Sequence, residues 1–243
     1  MNLLLTFLLD STNKKNAYKQ AIKSVCTLFR NREVQRQPIL LSSVKNLIDR
    51  TFKQGSSEDA TISHQSLIAK QMALLHFLSA ALQVMPGQMC CDTANSIISL
   101  LHSSTEPKIR TTCYLTLEVV YASRRLYEHG DHMDSVIRQL VGNPEMADLA
   151  EQRSTMTSNQ SMIAYMQATS QVVLNLASNE LDQSDLMHRQ ILRYVTLACS
   201  VFCEYLVAGN DRVKNAAFTA MRLVISHGLK PRFFTIKNPT IKT

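Results

Sequence analysis

The stretch Ile109-Arg110-Thr111-Thr112-Cys113-Tyr114-Leu115-Thr116-Leu117 decides the fold, because it occurs three times in altered form. Its counterparts are Ala17-Tyr18-Lys19-Gln20-Ala21-Ile22-Lys23-Ser24-Val25 and Val213-Lys214-Asn215-Ala216-Ala217-Phe218-Thr219-Ala220-Met221. Each copy sets an apolar or small residue first, a small one four later, and an apolar one four later still. These are Ala17, Ala21 and Val25, then Ile109, Cys113 and Leu117, then Val213, Ala217 and Met221. Residues four apart share one helix face, and a small residue between two larger ones lets a second helix approach closely. Before each copy stands a leucine- or tyrosine-bearing apolar run and a short polar turn: Leu8-Leu9-Asp10-Ser11-Thr12, Leu100-Leu101-His102-Ser103-Ser104-Thr105-Glu106 and Tyr205-Leu206-Val207-Ala208-Gly209-Asn210-Asp211.

The copies lie 92 and 104 residues apart. That is about two units each at the 40–47 residues of a HEAT or armadillo repeat. The intervening second helices then fall at 66–85 and 162–176. The expected fold is all-α, a right-handed α-solenoid of about five HEAT/armadillo-like helical hairpins over residues 1–230. The hairpins run about 1–30, 38–85, 88–127, 131–177 and 185–228, with an irregular tail at 231–243. One hairpin cannot bury its apolar faces alone, so such units must stack.

Composition agrees. Only 6 Gly and 6 Pro occur in 243 residues, with no Trp, while 45% of residues are hydrophobic. Sandwiches, barrels and glycine-loop enzymes need more turn residues than this. Local punctuation places the helix ends. Pro38 and Pro107 suit the first helical turn, where a missing N–H costs nothing. Asn210 suits a cap, Gly228 an exit, and Gln54–Asp59 a loop. No run of about 18 apolar residues marks a membrane span. The opening Leu3–Leu9 lacks a charged leader and a small-residue cleavage site, so it is expected to be a folded helix rather than a targeting segment.

Read with the pairs in place, the sequence resembles the ribosomal RNA-processing protein 12 family of HEAT-repeat proteins. The resemblance lies in Leu4-Leu5-Thr6-Phe7-Leu8-Leu9 leading to Ala17, Ala21 and Val25-Cys26-Thr27-Leu28-Phe29. It continues through Lys53–Ser57, Leu74-Leu75-His76-Phe77-Leu78, Met85-Pro86 and Ile97-Ile98-Ser99-Leu100-Leu101. Order and spacing match over about 3–125 and more loosely to about 228. These are packing positions, and Tyr18 stands where the family usually has a basic residue. The family's proteins are much longer, so the resemblance implies that this chain is a portion of one. It also implies a nuclear, nucleolar scaffold of small-subunit ribosome biogenesis, acting in rRNA processing and export with pre-ribosomal RNA and assembly proteins as partners. The alternative is a karyopherin-type transport receptor that binds cargo, Ran or export factors.

Charge separates these readings. The net charge of +7 is not evenly spread. Residues 1–54 carry ten Lys/Arg against three acids, 55–210 nine against fifteen, and 211–243 seven against one. Lys14, Lys15, Lys19, Lys23, Arg30, Arg32, Arg36, Lys45, Arg50 and Lys53 form the N-terminal cluster, with Lys15, Lys19 and Lys23 four apart. Such a stripe on a rigid helix suits a phosphate backbone, with salt-dependent affinity and little base readout. Few aromatics interleave these charges, which argues against reading single-stranded bases. Transport receptors tend to be acidic, so the basic ends favour the RNA scaffold.

No catalytic motif occurs: HExxH, P-loop and GxSxG are all missing, and no enzyme, cofactor or small-molecule substrate is expected. His129-Gly130-Asp131-His132 lacks a second ligand pair at zinc spacing and reads as a polar turn, not a metal site. The six cysteines lie in apolar helical patterns without a CxxC pair, as buried free thiols do. Cys199 and Cys203 are expected in the core, whereas Cys90 and Cys91 are adjacent, so one of them is expected to show partly. Arg110 and Lys214 are expected to face the turn between helices, within reach of Glu106 and Asp211.

Overall fold

A computed structural model describes residues 15–31, 38–53, 64–104, 106–122, 159–178, 185–208 and 210–228. All the regular structure among them is helical. In chain order the helices are α1 (Lys15–Arg30), α2 (Pro38–Lys53), α3 (His64–Ala81), α4 (Gly87–Ser103), α5 (Pro107–Ala122), α6 (Asn159–Ser178), α7 (Asp185–Ala208) and α8 (Asp211–Gly228). The sequence signals mark their ends. Pro38 and Pro107 are first helical residues. Asn210 caps α8 through its Oδ1, which accepts the Val213 N–H at 3.0 Å. The Pro86–Gly87 step separates α3 from α4 after a turn in which the N–H groups of Leu82, Val84 and Met85 return to Leu78 and Ala81 carbonyls.

The helices stack as an α-solenoid. α1, α3, α5, α6 and α8 form one row, each packed on the next, while α2 packs on α3, α4 on α5, and α7 on α8. α2 also touches α4, and α7 touches α6. The row therefore consists of the helices at which the repeated motif begins, with α3 and α6 at the two intermediate places. The segments 1–14 and 123–158, where further first helices are expected, lie outside the described residues. So do the tail at 231–243 and the His129–His132 turn.

The small position of the motif works as its spacing requires. Ala21, Cys113 and Ala217 are buried, as are their partners Val25, Ile109, Leu117 and Val213. Met221 is half-buried and packs against the core. The side chain of Ala17 lies outside the described set. In the middle of the array, burial extends beyond one stripe. Leu74, Leu75, Phe77 and Leu78 in α3 are all fully buried. With Ala73, also buried, these residues span about 200° of the helix circumference at about 100° per residue, wider than one stripe, and α3 has α1, α2 and α5 around it.

The same surround corrects the expectation about the adjacent cysteines: Cys90 and Cys91 are both fully buried. The Cys90 Sγ donates to the Leu82 carbonyl at 3.4 Å, so the α3–α4 turn covers it. α2 and α5 flank the same helix. The other cysteine expectation fails in the opposite direction. Cys199 is half-buried and Cys203 is exposed. The buried stripe of α7 runs through Ile191, Tyr194, Val195, Ala198, Val201, Phe202 and Tyr205, and Cys203 falls off its edge.

Two threonines of α5 enter the core with their hydroxyls already satisfied. Thr112 Oγ1 donates to the Lys108 carbonyl and Thr116 Oγ1 to that of Thr112, both at 2.8 Å. This back-bonding removes the cost of burying the hydroxyl.

Candidate functional site

Two surfaces concern function. The first is the basic cluster of α1 and α2. Lys19, Lys23 and Arg30 in α1 and Lys45 and Arg50 in α2 are exposed. They lie outside the buried stripes Ala21–Val25 and Val44–Ile48–Thr51 that seat these helices. Lys19 and Lys23 are one turn apart, so α1 presents both charges from a rigid rod. Lys15 and Lys53 belong to the same two helices. Lys14, Arg32 and Arg36 lie outside the described residues. At the other end Arg212 and Arg222 are exposed and Lys214 is half-buried.

Arg110, at the recurring basic position, has a structural task. It is 8% exposed. Its Nη1 donates to the Leu101 carbonyl at 2.9 Å and to the Ser104 carbonyl at 3.2 Å. It therefore faces the turn, as expected, and closes the C-terminal end of α4, whose last carbonyls have no helical donor. Tyr114, one turn on, is buried against Tyr165 of α6, with ring centroids 5.5 Å apart and planes at 70°. Burial pushes its phenol up to about 12, with the nearby Arg110 pulling the other way.

The second surface was not legible in the sequence. α5, α6 and α8 enclose a groove of about 410 Å³ on the row of second helices. Its floor and sides run along α6 from Ile163 to Leu174, about 16 Å at the helical rise. α8 contributes Asn215 to Leu223, and α5 contributes Glu118. Glu118 is the one charged side chain lining the groove among the described residues. It is half-buried, and the loss of solvent raises its carboxyl above the ordinary glutamate range. Around it stand the amides of Gln167, Gln171 and Asn215. The only trace in the sequence is the pair Gln167 and Gln171, four apart on one face of α6.

A second hollow, lined by Leu41, Ile48, Met89 and neighbours between α2 and α4, is mostly apolar, with Lys45 and Asp92 among its lining. Among the described residues, no helix is long and apolar enough to cross a membrane.

Known proteins add little to this geometry. No family model matches the chain, and no curated protein matches it. Among solved structures it is similar to a protein described as engineered, at 12% identity over 94% of this chain and 98% of the other. The TM-score of that pair is 0.30, too low to support an inference about fold or function.

Proposed function

We propose that this chain is a solenoid segment of a ribosome-assembly scaffold. It would hold pre-ribosomal RNA against its basic helices while other faces hold assembly proteins, in the nucleus and nucleolus, during small-subunit rRNA processing and export. The observation that carries the reading is the exposure of Lys19, Lys23, Arg30, Lys45 and Arg50 on two helices anchored by buried stripes. Rigid, exposed cations are suited to phosphate, and their fixed spacing places charge without reading bases. The resemblance of the packing positions to ribosomal RNA-processing protein 12 gives the RNA its class. On this reading the chain performs no chemistry: its mechanism is geometry and charge.

The test is ultraviolet crosslinking of the full-length parent to RNA in nuclear extract, followed by peptide mapping. Adducts are expected on peptides from 14–53, carrying small-subunit precursor sequence. Adducts confined to other peptides, or none at moderate salt, would reject the basic helices as the RNA contact. Recovery of Ran with no precursor RNA would instead favour a transport receptor.

A further inference from the structure

We infer that the groove between α5, α6 and α8 is a docking site for an extended peptide segment of another protein, carrying a lysine or arginine that Glu118 receives. This deepens the protein-docking half of the scaffold reading and is independent of its RNA half.

Charge sets the first requirement. Glu118 lies half-buried with no hydrogen-bond or ionic partner among the described residues, and it is the groove's one charge. A carboxylate losing water without gaining a cation is costly, and an incoming ammonium or guanidinium offsets that cost. An acidic ligand would be repelled by the same group.

Backbone hydrogen bonding sets the second. Gln167 and Asn215 are exposed and Gln171 is half-buried, so their amides are accessible from the groove. Each amide offers both donors and an acceptor. An extended peptide brings unpaired N–H and C=O groups that need both, whereas a helical ligand has already spent them on itself. The groove's length along α6 matches about five extended residues at 3.3 Å each. Between the amides, Ile163, Leu174 and Leu223 are half-buried and offer apolar contact to the residues flanking the basic one.

The row position adds rigidity. α6 is packed on both α5 and α8, so the three walls are held by the same interfaces that build the array. A preformed groove spares a ligand the cost of ordering its receptor.

The experiment uses a displayed library of random nonapeptides selected on the full 243-residue chain. Enrichment of peptides with one Lys or Arg between apolar residues is expected. A fluorescein-labelled copy of the strongest binder should lose about tenfold in affinity when its basic residue is replaced by citrulline or norleucine. It should show a similar loss on Glu118→Gln, and that variant should no longer distinguish the two peptides. Thr219→Arg, at an exposed position lining the groove, should block binding while leaving the helical circular dichroism and melting unchanged. Selection of acidic or helical peptides, no enrichment over bare support, or affinity unmoved by both substitutions would overturn the assignment. Because no RNA is present, such a failure leaves the crosslinking result at residues 14–53 to stand or fall alone.

Discussion

The hydroxyls of Thr111 and Ser161 lie 2.7 Å apart, joining α5 to α6 across fifty residues of chain. Thr111 Oγ1 also lies 2.8 Å from the Pro107 carbonyl, and Ser161 Oγ is 3.4 Å from the same oxygen. Each hydroxyl has one proton. The shorter approach assigns Thr111's proton to Pro107, so Ser161 donates to Thr111. Proline at the start of α5 thus helps orient the bond that joins it to the next helix of the row.

That bond should be measurable as a coupling. Thr111→Val and Ser161→Ala are expected to interact by about 1 kcal/mol in a double-mutant cycle of urea unfolding. Ser161 is fully buried, so each single change also strands a partner. Effects that add to within about 0.3 kcal/mol would show that the two hydroxyls act separately.

Arg110 gives a larger effect by the same logic. Arg110→Ala removes the donor to the Leu101 and Ser104 carbonyls and is expected to cost about 2–3 kcal/mol. Arg110→Lys should recover part of it, because an ammonium cannot reproduce the planar fork of a guanidinium. The readout is the shift in urea midpoint. Wild-type midpoints for both variants would mean the α4 terminus needs no such clamp.

How far the sequence reaches is clear from these residues. Ala21, Cys113 and Ala217 could be picked out because a small residue between two larger ones repeats wherever second helices stack. The caps at Pro107 and Asn210 were equally legible, since local chemistry decides them. The pairing of Thr111 with Ser161 was not, because it depends on which helices become neighbours. Periodicity also assumes one buried face per helix. It misjudged the pair Cys90 and Cys91, whose helix is covered on several sides, and Cys203, which lies just beyond the stripe of α7. Glu118 escaped for the first reason: its surroundings come from α6 and α8, far along the chain.

Thiol labelling separates the cysteines by place. At pH 8, an iodoacetamide pulse read by peptide mass is expected to modify exposed Cys203 first. Cys26 and Cys199 should follow slowly, because burial raises both thiols above the ordinary range and keeps them protonated. Cys90, Cys91 and Cys113 should label only as the chain opens in denaturant. Early labelling of Cys91 would place α4 outside the cover of α2 and α5.

Alkaline pH should weaken the array through Cys113 and Tyr114. Desolvation raises both, the thiol from an ordinary 9.0 and the phenol from 10.0 to about 12. Below pH 9 each is neutral in the folded and unfolded chains alike, and neither makes stability depend on pH. Above that the unfolded chain ionises first and binds fewer protons than the native one, so stability must fall as pH rises. The decline begins near pH 9 with the thiol and steepens between 10 and 12 as unfolded tyrosine ionises. Melting temperatures from pH 7 to 11 test this, with Cys113→Ala expected to shrink the early part of the decline, the remainder coming from Cys26, Cys91 and Cys199, whose thiols burial also raises. An early decline unchanged in that variant would mean that the other raised thiols and the buried tyrosines, with Tyr121 and Tyr165 raised by the same burial, set the alkaline limit without Cys113.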